Sequence, residues 1–241
     1  MGFIVYLKKT SVIEIYDIVV AWICLSLAFA ISFGGGLIRS PDIIDKISIN
    51  DFFLYFTISV ITIGVSFVLH ELAHKYVAIF YGHWAEFRKD MFMLLTALVT
   101  SVLAGIIFAV PDAAYIVAQA HDITKKENGV ISLAGPLTNI ILVIPFLLLI
   151  IVVIHCIKVD PSIIDQSYLP ILGLVGVIGV NVNAMLAFFN MIPVSIIDGK
   201  KILNWNPNIF IVMIVISLGL LIMSFNIEDI SNNIYEYFIT L

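Results

Sequence analysis

The sequence predicts an all-α polytopic membrane protein of five or six transmembrane helices with a short membrane-associated β hairpin. Composition is the first reason: 61% of the 241 residues are hydrophobic and only 12% charged, far from the balance of a soluble domain. Segmentation is the second. Apolar residues gather over 15–33, 54–80, 91–110, 130–157, 171–189 and 209–225, and about 20 helical residues suffice to cross the hydrocarbon layer.

Within segment 15–33, the run 21–33 could be mistaken for a cleaved signal peptide. Glu14 and Asp17 precede its most apolar part and no clean small-residue cleavage site follows, so it reads as a retained first helix. Segment 54–80 would extend about 40 Å at ~1.5 Å per residue, and it contains polar residues near its C-terminal end. In segment 91–110, Ser101, Gly105 and the following Pro111 permit a break, so it is expected to be re-entrant or surface-lying. Residues 113–119 and 130–132, with a polar turn over 125–129 between them, read as the two strands of the hairpin. Asn139, Asn181 and Asn183 are polar groups in apolar segments and read as hydrogen-bonding glue between helices. Asn183 precedes Asn190 by seven residues, nearly the same helix face, which also permits a supporting role at a site. Gly173, Gly176 and Gly179 recur every third residue and suggest close helix packing or a flexible gate.

The twelve Lys and Arg lie outside or near the ends of these segments, so they score the topology. With five spans, Lys8, Lys9, Lys75, Arg88, Lys89, Lys125, Lys126, Lys200 and Lys201 share one side, and only Arg39, Lys46 and Lys158 lie opposite. A sixth span over 91–110 would level the division. The expectation is therefore a cytoplasmic N-terminus and an acidic C-terminus on the far side. The basic residues are few and dispersed, which excludes a nucleic-acid patch. Cys24 and Cys156 lie in different helices without metal-type spacing and read as packing residues.

Chemistry enters at His70-Glu71-Leu72-Ala73-His74. In this H-E-x-x-H pattern two imidazoles four residues apart share one helix face and can bind a single Zn²⁺, with Glu71 beside them as general base. A catalytic zinc needs a third protein ligand. Asp198 is the best candidate, because it follows an apolar helix interrupted at Pro193 and is itself followed by Gly199. Read alone, it equally fits an ordinary N-cap of the next helix. Glu86, Asp90 and Asp112 are weaker candidates, and His83, His121 and His155 read as loop or interface histidines.

Three separated motifs now carry a family resemblance: His70 to His74, Ala134-Gly135-Pro136-Leu137-Thr138-Asn139, and the N-x-x-P-x-x-x-x-D-G run from Asn190 to Gly199. Together they resemble the site-2 proteases, zinc metalloproteases that work inside membranes, over roughly residues 54–201. The resemblance implies that His70, His74 and Asp198 bind one catalytic zinc, that Glu71 is the catalytic base, and that Asn190 contacts the substrate backbone. Ile197 and Lys200 depart modestly from the usual residues around Asp-Gly. More consequential is the extra apolar segment 91–110 between the zinc helix and the Gly-Pro motif, which alters access to the site.

Residues 1–241 are accordingly expected to form one integral membrane protease domain, with the active site near the cytoplasmic side. Its expected partners are the lipid bilayer and membrane proteins with transmembrane segments, whose peptide bonds it would hydrolyse within or near those segments. Two other readings stay open: a membrane-anchored zincin acting on soluble or misfolded chains, and a metal-ion transporter using the same ligands.

Overall fold

The computed structural model describes residues 10–33, 49–105, 107, 114–117, 122–160, 168–194 and 197–239. Among the candidates above, Asp112 and His121 fall outside these residues, as do the outlying basic residues Lys8, Lys9, Arg39 and Lys46. The elements run α1 Val12–Phe33, α2 Ile49–Phe80, β1 Trp84–Phe87, α3 Met91–Ala104, β2 Ala114–Val117, α4 Lys125–Val159, α5 Tyr168–Asn190, α6 Asp198–Trp205 and α7 Pro207–Ile239.

Helices α1, α2, α4, α5 and α7 are long and apolar enough to cross a membrane. The fold class is the expected one. Helix α3 has 14 residues, about 21 Å at ~1.5 Å per residue, against a hydrocarbon core of about 30 Å. Its ends are chemically defined. Asp90 caps the start, accepting from Phe92 N at 2.7 Å and Met93 N at 3.2 Å, and Gly105 closes it with φ 66°, its N–H bonded to Ser101 O.

The hairpin requires a correction. Ala114–Val117 is a strand, but residues 130–132 lie inside α4, and the antiparallel partner is β1, with Trp84 opposite Val117 and Phe87 opposite Ala114. The reason is a capping box: Thr124 Oγ1 accepts from Glu127 N at 3.2 Å, and Glu127 Oε2 accepts from Thr124 N at 2.8 Å. The polar residues 125–129, which resemble a turn, are thus the first turn of a 35-residue helix. The two strands are joined through α3 rather than by a tight turn.

Helix α5 packs against α4, α2 and α7, and α2 in turn against α1 and α4. One apolar core lies between α1, α2, α3 and α5, where Leu25, Phe29, Ile58, Ile63, Phe67, Leu94 and Ile178 are buried. A second joins the turn after α5 to α6 and α7 through Met191, Ile202, Phe210 and Met213. Opposite surfaces remain apolar: Ile61, Leu69, Ile141, Ile144, Leu148, Ile151 and Val215 are exposed, as required of helices whose outer faces meet lipid.

Charge gathers at one joint. Lys75, one residue beyond His74, pairs with Glu14 of α1 and donates to Thr10 Oγ1 at 3.1 Å, while Phe87 N of β1 donates to Glu14 Oε1 at 3.2 Å. Asp17 pairs with Lys89, and Glu86 with Arg88. Lys75 and Glu14 are both buried, so removing one partner strands the other charge. Glu14→Ala is expected to lower unfolding stability in detergent by about 3–5 kcal/mol. The double substitution Glu14→Leu with Lys75→Met should recover most of that loss. A Glu14→Ala protein as stable as the parent would show that the pair carries no weight.

Candidate metal centre

The site assembles from three helices. His70 and His74 lie on one face of α2, their Nε2 atoms 3.0 Å apart. Asp198 stands at the first position of α6, with its Oδ2 3.1 Å from His74 Nε2 and 3.8 Å from His70 Nε2. The three residues offer ligand atoms that all lie within 4.8 Å of one another. All three are buried, as is Glu71.

Asp198 arrives by way of an interruption between two helices. Helix α5 ends at Asn190, Met191 N and Ile192 N bond back to Phe188 O and Phe189 O, and Pro193 cannot extend the ladder. Gly199 then lets α6 start in close contact with that turn, since a Cβ there would fall 2.3 Å from Met191 O. Asp198 is thus the first helical residue and not the cap; the residue preceding the helix is Ile197, which makes no side-chain cap. Lys201, one turn on, lies 3.8 Å from the other carboxylate oxygen.

Each imidazole is held from behind. His74 Nδ1 lies 2.7 Å from Ile131 O, and His70 Nδ1 lies 2.5 Å from Asn139 Oδ1, both on α4. Carbonyl oxygens only accept, so both Nδ1 atoms carry protons, and each ring in its neutral form keeps its lone pair on Nε2. Two lone pairs facing each other at 3.0 Å beside a carboxylate repel unless a proton or a metal cation lies among them. A tetrahedral zinc with bonds of about 2.0–2.1 Å separates its donors by roughly 3.3 Å. The observed 3.0, 3.1 and 3.8 Å bracket that spacing, and the donor set, two neutral imidazoles and one carboxylate, suits zinc. Gly135 of α4 leaves the space: a Cβ there would fall 2.3 Å from His74 Nε2 and 2.5 Å from His70 Nε2.

A protein of Methanocaldococcus jannaschii named "Putative zinc metalloprotease MJ0611" is 38% identical to this chain over 160 residues, 66% of this chain and 76% of that protein. The chain belongs to this zinc metalloprotease family. A Bacillus subtilis protein named "Putative zinc metalloprotease YwhC" is 28% identical over 170 residues, 64% of this chain and 73% of its own length. No family model and no solved structure matches this chain.

Of the residues singled out on the sequence, His70, His74 and Asp198 come together, with Glu71 adjacent on α2. Asn190 closes α5, and its Nδ2 donates to Leu186 O of its own helix at 2.8 Å. Among the described residues no hydrogen bond or ion pair joins it to the three ligand candidates. The weaker acidic candidates are otherwise engaged: Glu86 pairs with Arg88, and Asp90 caps α3. His83 is buried, 3.8 Å from Glu127 Oε2 at the start of α4. The sequence did not assign the groups behind the imidazoles. Asn139 was legible as interhelical glue and as the end of the second motif, and a backbone carbonyl such as that of Ile131 leaves no trace in residue identity.

Proposed function

We propose that this metalloprotease is a zinc-dependent intramembrane endopeptidase of the site-2 protease type, with His70, His74 and Asp198 as zinc ligands and Glu71 as catalytic base. The observation that supports this most directly is the convergence of the three donors on a helix long and apolar enough to cross a membrane. Zinc, when bound, supplies a Lewis acid that acidifies water and polarises a carbonyl. Glu71 takes a proton from the attacking water and passes it to the departing amine. Ile131 and Asn139 keep both rings in the ligating tautomer, and Gly135 leaves room beside them. Asn190, at the rim of the break that delivers Asp198, is proposed to hold the substrate backbone.

Substrates are proposed to be transmembrane segments of other proteins. A helical segment must unwind before its carbonyls are available, and the two-stranded sheet offers an edge with which an extended segment can pair. The sheet adjoins the site: Ala85 of β1 packs with Ile131, whose carbonyl holds His74. The positive charges favour a cytoplasmic N-terminus and water access to the site from that side.

The test uses the purified chain in bilayers with a transmembrane peptide and mass-spectrometric mapping of the cut. Cleavage within or at the edge of the apolar stretch, abolished by a zinc chelator and restored by zinc, is the expected result. Cuts confined to soluble loops would favour a zincin merely anchored in the membrane, and chelator-insensitive cleavage would remove the metal from the reaction.

A further inference from the structure

We infer that Asn183 is a positioning residue that acts on the metal site through Asn139, as part of a buried relay that sets the proton position on His70. The inference rests on reading His70 as a zinc ligand. The relay is read outward from groups whose polarity cannot change. Asn183 Nδ2 lies 2.8 Å from Gly179 O, and Asn139 Nδ2 lies 3.1 Å from Ser66 O. Backbone carbonyls only accept, so both side-chain amides are fixed with nitrogen toward them. Asn183 Oδ1 then accepts from Asn139 Nδ2 at 2.9 Å, and Asn183 Nδ2 also donates to Ser66 Oγ at 2.8 Å. With its nitrogen doubly engaged, Asn139 turns only its oxygen to His70 Nδ1.

The remaining freedom is small. Ser66, Asn139 and Asn183 are fully buried, so no water is at hand to substitute for a lost partner, and the cost of an unmatched amide is high. An Asn139 amide flipped by half a turn would present Nδ2 to His70. That would move the ring proton to Nε2 and remove one lone pair from the ligand cluster. Asn183 opposes the flip from α5, a helix that supplies no ligand candidate of its own. Helix glue alone would require hydrogen bonds between helices; here donation also runs in one direction, from the His70 ring through Asn139 and Asn183 to the carbonyl of Gly179.

Zinc affinity of the apo protein, measured by chelator competition, provides the test. Asn183→Leu keeps the volume and removes the acceptor; it is expected to weaken zinc binding about 10–100-fold. Asn183→Asp keeps an acceptor toward Asn139 and, protonated in this apolar setting, a donor toward Gly179 O; it should bind more tightly than Asn183→Leu. A purely packing role predicts no separation of the two by acceptor capacity, so equal affinities of the two variants, or an Asn183→Leu affinity within twofold of the parent, overturn the relay. Nitrogen NMR of ring-labelled histidine in the metal-free parent decides the same point without any variant: His70 carrying its proton on Nδ1 supports the relay, and on Nε2 overturns it. A parent protein that takes up no zinc would overturn the ligand assignment instead, and the ring-proton measurement would still judge the relay.

Discussion

Glu71→Gln is expected to leave zinc bound at one equivalent and to lower peptide hydrolysis about 10²–10⁴-fold, the usual contribution of a positioned acid–base group. The substitution is nearly isosteric on α2 and leaves His70, His74 and Asp198 unaltered, so the donor cluster persists. What disappears is the ability to accept a proton, since an amide oxygen is far less basic than a carboxylate. Zinc content by atomic absorption and turnover of a transmembrane peptide separate the two effects. Unchanged turnover would assign the proton transfer elsewhere, and lost zinc would make Glu71 part of the binding site. The inert, metal-loaded variant is also the form in which to trap substrates.

Gly135→Ala is expected to weaken zinc binding by about 10- to 100-fold while leaving every ligand in the chain. The added methyl would lie 2.3 Å from His74 Nε2 and 2.5 Å from His70 Nε2, well inside van der Waals contact. The rings cannot simply turn away, because Ile131 O and Asn139 Oδ1 hold their far edges. Breaking either buried hydrogen bond costs about 1–3 kcal/mol, and roughly 1.4 kcal/mol corresponds to tenfold in affinity. Measuring thermal stability of the metal-free variant alongside zinc affinity separates local obstruction from unfolding. A variant with parental affinity would show that the donors converge on some other space.

Much of this site is legible in the sequence, and the reasons are local. His70 and His74 are ligand candidates because four residues along a helix is one turn, a fact independent of the rest of the chain. Asp198 requires more, since its approach to α2 depends on the break after Asn190, yet Pro193 and Gly199 mark that break.

The paired strands were less accessible. Residues 124–132 carry the T-x-x-E signature of a helix start at Thr124 and Glu127, but Lys125, Lys126, Asn128 and Gly129 give the stretch the composition of a polar turn. Strand β1 is four residues long, and Glu86 and Arg88 lend this stretch the composition of a loop. Its partner is set by a fold that brings residues 84–87 beside 114–117, which no periodicity announces. The relay through Asn139 and Asn183 stayed hidden for the same reason: three helices must pack before Ser66, Asn139 and Asn183 become neighbours.

The origin of the third donor has a thermodynamic consequence. His74 and Asp198 are more than a hundred residues apart in sequence, so an unfolded chain presents no such trio, and a metal with affinity only for the native arrangement stabilises it by mass action. Resistance to denaturation should therefore climb with free zinc, by about 1.4 kcal/mol for each tenfold increase once the ion is in excess of its dissociation constant. The ion thereby becomes a late fastener between the helix that carries the imidazoles and the helix that follows the break, reporting the native packing of both.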